Sequence, residues 1–115
     1  MNDDEILRDS SEKASKLLKA LANQDRLQFL CNLVEDEKCV GDLEELPGIR
    51  QPTLSQQLAR LRSDDLVVTR REGKVIYYKL ASSEAGRIIE MLYELYYEPA
   101  MAEQAQSRRK IAAGG

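Results

Sequence analysis

Residues 50–80 read RQPTLSQQLARLRSDDLVVTRREGKVIYYKL, and two periodicities meet inside them. In the first part Leu54, Leu58 and Leu61 recur at i, i+4 and i+7, so one face of a helix over Gln51–Ser63 is apolar and directed at a core. At about 100° per residue, Thr53, Gln56 and Arg60 point the other way, with Ser55, Gln57 and Arg62 on the flanks. That outward face carries hydroxyls, amides and guanidinium groups but no carboxylate. Such groups bond base edges and phosphates: Gln suits adenine, Arg suits guanine, and hydroxyls serve either. Pro52 falls where a first-turn proline costs nothing, since the first N–H groups of a helix lack intrahelical partners. From Leu66 the chemistry changes to strand. LVVTRR and KVIYYKL flank a short turn at Glu72-Gly73, which predicts a β-hairpin with Arg70, Arg71 and Lys74 crowded at its tip.

Working outward, the net charge of −3 over 115 residues looks wrong for a nucleic-acid binder until it is located. Met1–Leu46 carries six basic and twelve acidic residues, Pro47–Lys79 seven and three, and the remainder four and five. Positive charge therefore sits on the helix and hairpin, where phosphate contact needs it. Charge by itself does not separate a DNA-facing surface from a solvated charged one.

Upstream, a first helix is expected over Ile6–Ala22, with Ala14, Leu17, Leu18 and Leu21 at helical spacing and Ser10-Ser11 as a cap or a break. Asn23 interrupts. A second helix over Asp25–Glu35 sets Leu27, Leu30, Cys31 and Val34 on one face. A short third helix, VGDLEEL, stops at Pro47-Gly48. Downstream, a last helix from Ser83 to Tyr97 carries a wide apolar stripe of Ala85, Ile88, Ile89, Leu92, Leu95 and Tyr96. A small hairpin cannot cover such a stripe, which implies a partner helix. Pro99 is expected to end this helix. The division is then a winged helix-turn-helix DNA-binding and dimerisation domain over 1–98 and a flexible tail over 99–115.

The fold class is mainly α with a small β-hairpin, in the order α-α-α-α-β-β-α of a homodimeric winged helix-turn-helix, whose fourth helix would enter a major groove. No apolar run reaches membrane-spanning length and the acidic, polar N-terminus is unlike a signal peptide, so a cytoplasmic protein with no membrane partner is expected. No phosphate loop, histidine base or paired-carboxylate site is recognisable, so no catalytic residue is assigned and no cofactor is expected; an enzyme reading has little support. The expected DNA-binding set is Gln51, Thr53, Ser55, Gln56, Gln57, Arg60, Arg62, Arg70, Arg71 and Lys74. Tyr77 and Tyr78 fit wing packing, and Tyr93, Tyr96 and Tyr97 fit a dimer seam or core.

With that order in hand, LLKALANQDRLQFLCNLVEDEKCVGDL, QPTLSQQLARLRSDDLV and RREGKVIYYKL together resemble the ArsR/SmtB family of small bacterial repressors, over roughly Ala14–Tyr97. Within it, residues 29–62 are most similar to the BigR/SqrR-type sulfur-responsive branch. The resemblance implies a homodimer built from the first and last helices that binds a palindromic operator and releases it on a chemical signal. Where members commonly show histidine, this chain has Gln57.

Both metal sites common in the family are damaged. Where the family has a Cys-x-Cys pair at the third helix, this chain reads Cys39-Val40-Gly41-Asp42, one thiolate and one carboxylate, too few for a tetrahedral soft-metal site. The last-helix site needs histidines, and the chain has none; no metal is assigned. The sulfur-responsive branch pairs a cysteine of the second helix with one near the end of the last. Cys31 matches the first, but Tyr97 occupies the second position. Cys31 and Cys39 are then the expected redox-sensing residues, with a persulfide or oxidant as inducer. The alternative is a buried, inert Cys31 and an exposed, inert Cys39. Two further readings stay open: a DNA-binding repressor without thiol sensing, or answering arsenite or another soft metal, and a dimeric protein-interaction module without DNA binding.

Overall fold

A computed structural model describes residues 1–49 and 52–114, with side chains as far as Arg109. Helix α1 spans Asp3–Leu21. Asn2 caps it by accepting from the Glu5 N–H at 2.8 Å, and Asp3, Asp4 and Glu5 in the first turn complement the positive end of its dipole. Ser10 and Ser11, expected as a cap or a break, lie inside it, because the cap was already supplied eight residues earlier. Asn23 ends α1 and starts α2 (Gln24–Leu33), its side chain accepting from the Arg26 N–H at 3.1 Å.

Helix α2 buries Phe29, Leu30 and Leu33, with Leu27 and Val34 half-buried beside them. The expected apolar face included Cys31, and here the structure corrects the reading. Cys31 lies about 200° round the helix from Phe29 and 160° from Leu33, and it is exposed. After α2 the chain forms a strand that the sequence did not announce, β1 (Lys38–Cys39), and then α3 (Val40–Glu44). Gly48, at φ +79°, makes the turn after Pro47.

Helix α4 (Thr53–Ser63) begins two residues later than expected, with Pro52 at its N-cap rather than inside the first turn. Leu54, Leu58 and Leu61 are 0, 2 and 0% exposed, so the apolar stripe is the core side. The helix ends in a Schellman motif: the Leu66 N–H reaches the Leu61 carbonyl at 3.0 Å and the Asp65 N–H reaches that of Arg62 at 3.1 Å. Asp65 takes the left-handed conformation that this ending requires, φ 58°.

Strands β2 (Val67–Glu72) and β3 (Val75–Leu80) follow at once. They pair from Val67↔Leu80 to Glu72↔Val75, so the turn is Gly73-Lys74, one residue beyond the expected Glu72-Gly73. Gly73 at φ +62° supplies the positive φ that a two-residue hairpin turn needs at its first position. β1 adds to the other edge of β3, with Lys38↔Tyr78 and Cys39↔Tyr77, giving an antiparallel sheet of order β1-β3-β2. Helix α5 (Ser83–Leu92) is capped by Ser82, whose Oγ accepts from the Ala85 N–H at 3.1 Å, and it buries Ala85 and Ile89.

Pro99 does not end the last helix. A π-helical turn covers Tyr93–Tyr97, and α6 runs from Glu98 to Gly114. In the wide turn the Glu98 N–H reaches back to the Tyr93 carbonyl, so the chain passes a residue that lacks its own N–H without losing helical direction.

One apolar core joins α2, α3, α4, α5, β2 and the last turn of α1. The radius of gyration is 17.9 Å, against roughly 13 Å for a compact chain of this length. The excess comes from the two ends. Helix α1 buries only Ala20 and Leu21, and Ile6, Leu7, Leu18, Met91, Leu95, Tyr96 and Met101 remain exposed. Among the described residues no helix is long and apolar enough to cross a membrane.

Candidate nucleic-acid interface

Helices α3 and α4, joined through the Pro47-Gly48 turn, form a helix-turn-helix, and the β2–β3 hairpin stands behind it as a wing. Because three leucines anchor α4 by one face, the opposite face is held clear of the core. Thr53, Ser55, Gln56, Arg60 and Arg62 are exposed on it or on its flanks. Arg60 donates from Nε to Asp64 Oδ2 at 2.8 Å. An exposed pair of this i,i+4 kind is weak and exchangeable, so it parks the guanidinium without committing it.

Gln57 is placed differently from its neighbours. It is half-buried, and its Oε1 accepts from Arg26 Nη1 at 2.8 Å. It faces α2 rather than the outer surface. Gln51 lies outside the described residues.

The wing divides its two arginines by strand alternation, which sends adjacent side chains to opposite faces. Arg70 stays about half exposed but is bonded to other groups of the protein. Its Nε donates to both Glu37 oxygens at 3.0 and 2.8 Å, Nη2 also reaches Glu37, and Nη1 donates to Glu72 at 2.8 Å. The guanidinium lies 4.3 Å from the Tyr77 ring centroid. The hydrogen bond from Arg70 holds the Glu37 carboxyl below its ordinary range, and the two carboxylates push the Arg70 guanidinium further up. Arg70, expected on DNA, thus ties the wing to the α2–β1 loop. Arg71 donates from Nε to the Gly73 carbonyl at 3.1 Å and stays exposed with Lys74 at the tip. Tyr78 packs against the core.

The two cysteines are free and lie in different surroundings. Cys31 opens on a cleft of about 660 Å³ between α2 and the last helix, shared with Asn32, Glu35, Ile89, Tyr93 and Glu94. Partial burial pushes its thiol up. Burial, with Tyr97 and the acidic groups around it, pushes the Tyr93 phenol up. Tyr93 stacks on Tyr97 with ring centroids 4.5 Å apart. Cys39 donates from Sγ to Asp42 Oδ2 at 3.3 Å. Among the described residues no three potential ligand side chains converge.

Sequence reasoning missed Arg26 and Glu37, which organise the interface from behind. Arg26 carried a faint signal, three residues after a capping Asn; Glu37 carried none, since its partner is 33 residues away.

Residues 23–69 match the model of the family described as "Bacterial regulatory protein, arsR family". The chain is 52% identical over 83 residues to the biofilm growth-associated repressor of Agrobacterium fabrum, spanning 72% of this chain and 71% of that one. It is 48% identical over 87 residues to the transcriptional activator HlyU of Vibrio cholerae, spanning 76% and 81%. The crystal structure of the transcriptional repressor BigR from Xylella fastidiosa superposes with a TM-score of 0.75 at 41% identity, covering 83% of this chain and 97% of that one. A helix-turn-helix with a basic-tipped wing, on a sequence this similar, is not an enzyme's site: the chain belongs to the arsR family of bacterial regulatory proteins and is a winged-helix transcriptional regulator.

Proposed function

We propose that this regulator is a cytoplasmic homodimeric repressor that binds a palindromic operator. The observation that carries the reading is α4 itself: anchored by three fully buried leucines, it holds a polar face clear of the core, with no acid between Thr53 and Ser63. Thr53, Ser55, Gln56 and Arg60 read bases, and Gln51 belongs to the same set. Arg62, Arg71 and Lys74 hold phosphates. The exposed apolar residues of α1 and the last helix support a seam with a second copy, in which two reading helices face successive major grooves about 34–36 Å apart.

Release by thiol modification, with a persulfide or oxidant as inducer, is the finer part of this proposal. Its support is position: Cys31 is exposed on the cleft between α2 and the last helix, so an adduct there would push the two apart. Cys39, bonded to Asp42, is the second candidate thiol. A regulator without a thiol switch is the second reading. It is favoured by Tyr97 at the partner position and by the upward shift of the Cys31 thiol, which disfavours the reactive thiolate. The activator name of the Vibrio cholerae relative bears on the direction of control and leaves the DNA-binding part unchanged.

A gel shift on the chain's own upstream DNA, repeated with reductant, persulfide and arsenite, tests these parts together. Binding that persulfide abolishes and reductant restores supports the switch. Binding indifferent to all three leaves a repressor without it. No binding at any salt would point to the protein-interaction reading.

A further inference from the structure

One guanidinium in this fold joins three segments. Arg26 Nε donates to the Ala20 carbonyl at 2.6 Å, Nη2 to the Lys19 carbonyl at 3.3 Å, and Nη1 to Gln57 Oε1 at 2.8 Å. The first two acceptors belong to the last turn of α1, whose carbonyls have no intrahelical partners and form the negative end of the helix dipole. The third belongs to α4. Arg26 is itself rooted, because its backbone N–H is the one that Asn23 caps at the start of α2. Only a planar fork with several N–H donors satisfies acceptors on two sides at once; a lysine ammonium does not reproduce that geometry.

The clasp matters because of what else holds α1. Nearly all of that helix is exposed, and only Ala20 and Leu21 are buried. Its direction relative to the rest of the chain is therefore set over one turn, and Arg26 bonds that turn. Gln57 lies on the flank of α4, between the outward Gln56 and the buried Leu58. Rolling α4 about its axis would break the bond to Arg26 before it disturbed the leucines.

We propose that Arg26 is a positioning residue that, through Gln57, fixes the attitude of the reading helix against the end of α1 and so sets the separation of the two reading helices in the dimer. The inference rests on the dimeric DNA-binding reading. In it, Gln57 serves recognition without touching DNA.

The test uses the full chain, wild type and with Gln57→Leu, Gln57→Glu and Arg26→Gln. Two measurements are made: amide hydrogen exchange of the protein alone, and affinity for the operator against the same operator with one base pair inserted between half-sites. The insertion rotates one half-site by roughly 34–36°. Gln57→Leu and Arg26→Gln should speed exchange in the last turn of α1 by about tenfold and reduce the preference for native spacing. Gln57→Glu should keep both at the wild-type level, since a carboxylate still accepts from Arg26. If Gln57→Glu loses operator binding as severely as Gln57→Leu while exchange is unchanged, Gln57 contacts DNA and the proposal is overturned. Wild-type exchange and spacing preference in Gln57→Leu would also overturn it, whatever becomes of Arg26→Gln. Should the wild type bind no DNA, the functional reading falls, and exchange still decides whether the clasp holds α1 to α4.

Discussion

Arg70 and Arg71 are adjacent, identical in type and opposite in use. Strand alternation sends one to Glu37, Glu72 and Tyr77 and leaves the other at the wing tip. Because Glu37 titrates below its ordinary range, the clasp with Arg70 contributes stability above the unfolded carboxyl's pKa. That contribution is lost as pH falls through the lower folded value. A carboxyl-carbon NMR titration should place the Glu37 midpoint below that of a free glutamate, and Arg70→Ala should return it to normal. The same substitution should leave the non-specific affinity for DNA almost unchanged, whereas Arg71→Ala should weaken all sequences alike. Cys31 makes the second prediction at this scale. The thiolate is the reactive form, and burial pushes this thiol up. Iodoacetamide should therefore modify Cys31 at pH 7 more slowly than a free cysteine, with a rate that climbs toward alkaline pH. Peptide mass spectrometry over a pH series would show it, and fast modification at neutral pH would remove the main physical objection to Cys31 as a sensor.

At the level of elements, α4 was legible because its two faces differ in kind. Leu54, Leu58 and Leu61 fix its phase, and all three are buried as their spacing demands. Leu58→Ala should cost about 2–5 kcal/mol, the range for emptying a packed leucine site, read as a lower urea midpoint at unchanged slope. The hairpin was legible to within one residue. What sequence could not show was whatever depends on a distant partner. β1 is two residues long and exists only because Tyr77 and Tyr78 offer an edge. The inward turn of Gln57 depends on Arg26, 31 residues earlier. Cys31 falls off the buried side because Phe29, the largest side chain of α2, turns the helix toward the core with Leu30 and Leu33. Pro99 carries a local stop signal, whereas the π-turn that accommodates it has no local signature.

For the molecule as a whole, the two extended ends and the placing of charge carry the consequences. If Arg62, Arg71 and Lys74 of two copies hold phosphates while Arg70 stays on Glu37, about six contacts should give a log–log salt slope of roughly −5 at about −0.9 per phosphate. Filter binding on non-operator DNA between low and moderate salt would measure it, and a slope near zero would remove the wing from the interface. The exposed residues of α1 and the last helix should hold the dimer. Leu95→Asp puts an unpaired charge into that seam and should give monomers by sedimentation at concentrations where the wild type is dimeric.

The π-turn at Tyr93–Tyr97 has a consequence for phase. It takes one more residue than an α-turn, so whatever lies beyond Glu98 is rotated by about 100° relative to the face that α5 presents, one residue's worth of helix. A neighbouring helix that packs along α5 in register meets a stutter there and cannot follow the same groove onto α6. Removing one residue from the turn would bring α6 back into step, and Ala100, Met101 and their neighbours would face a different quarter of the surroundings while everything before Tyr93 stayed where it is.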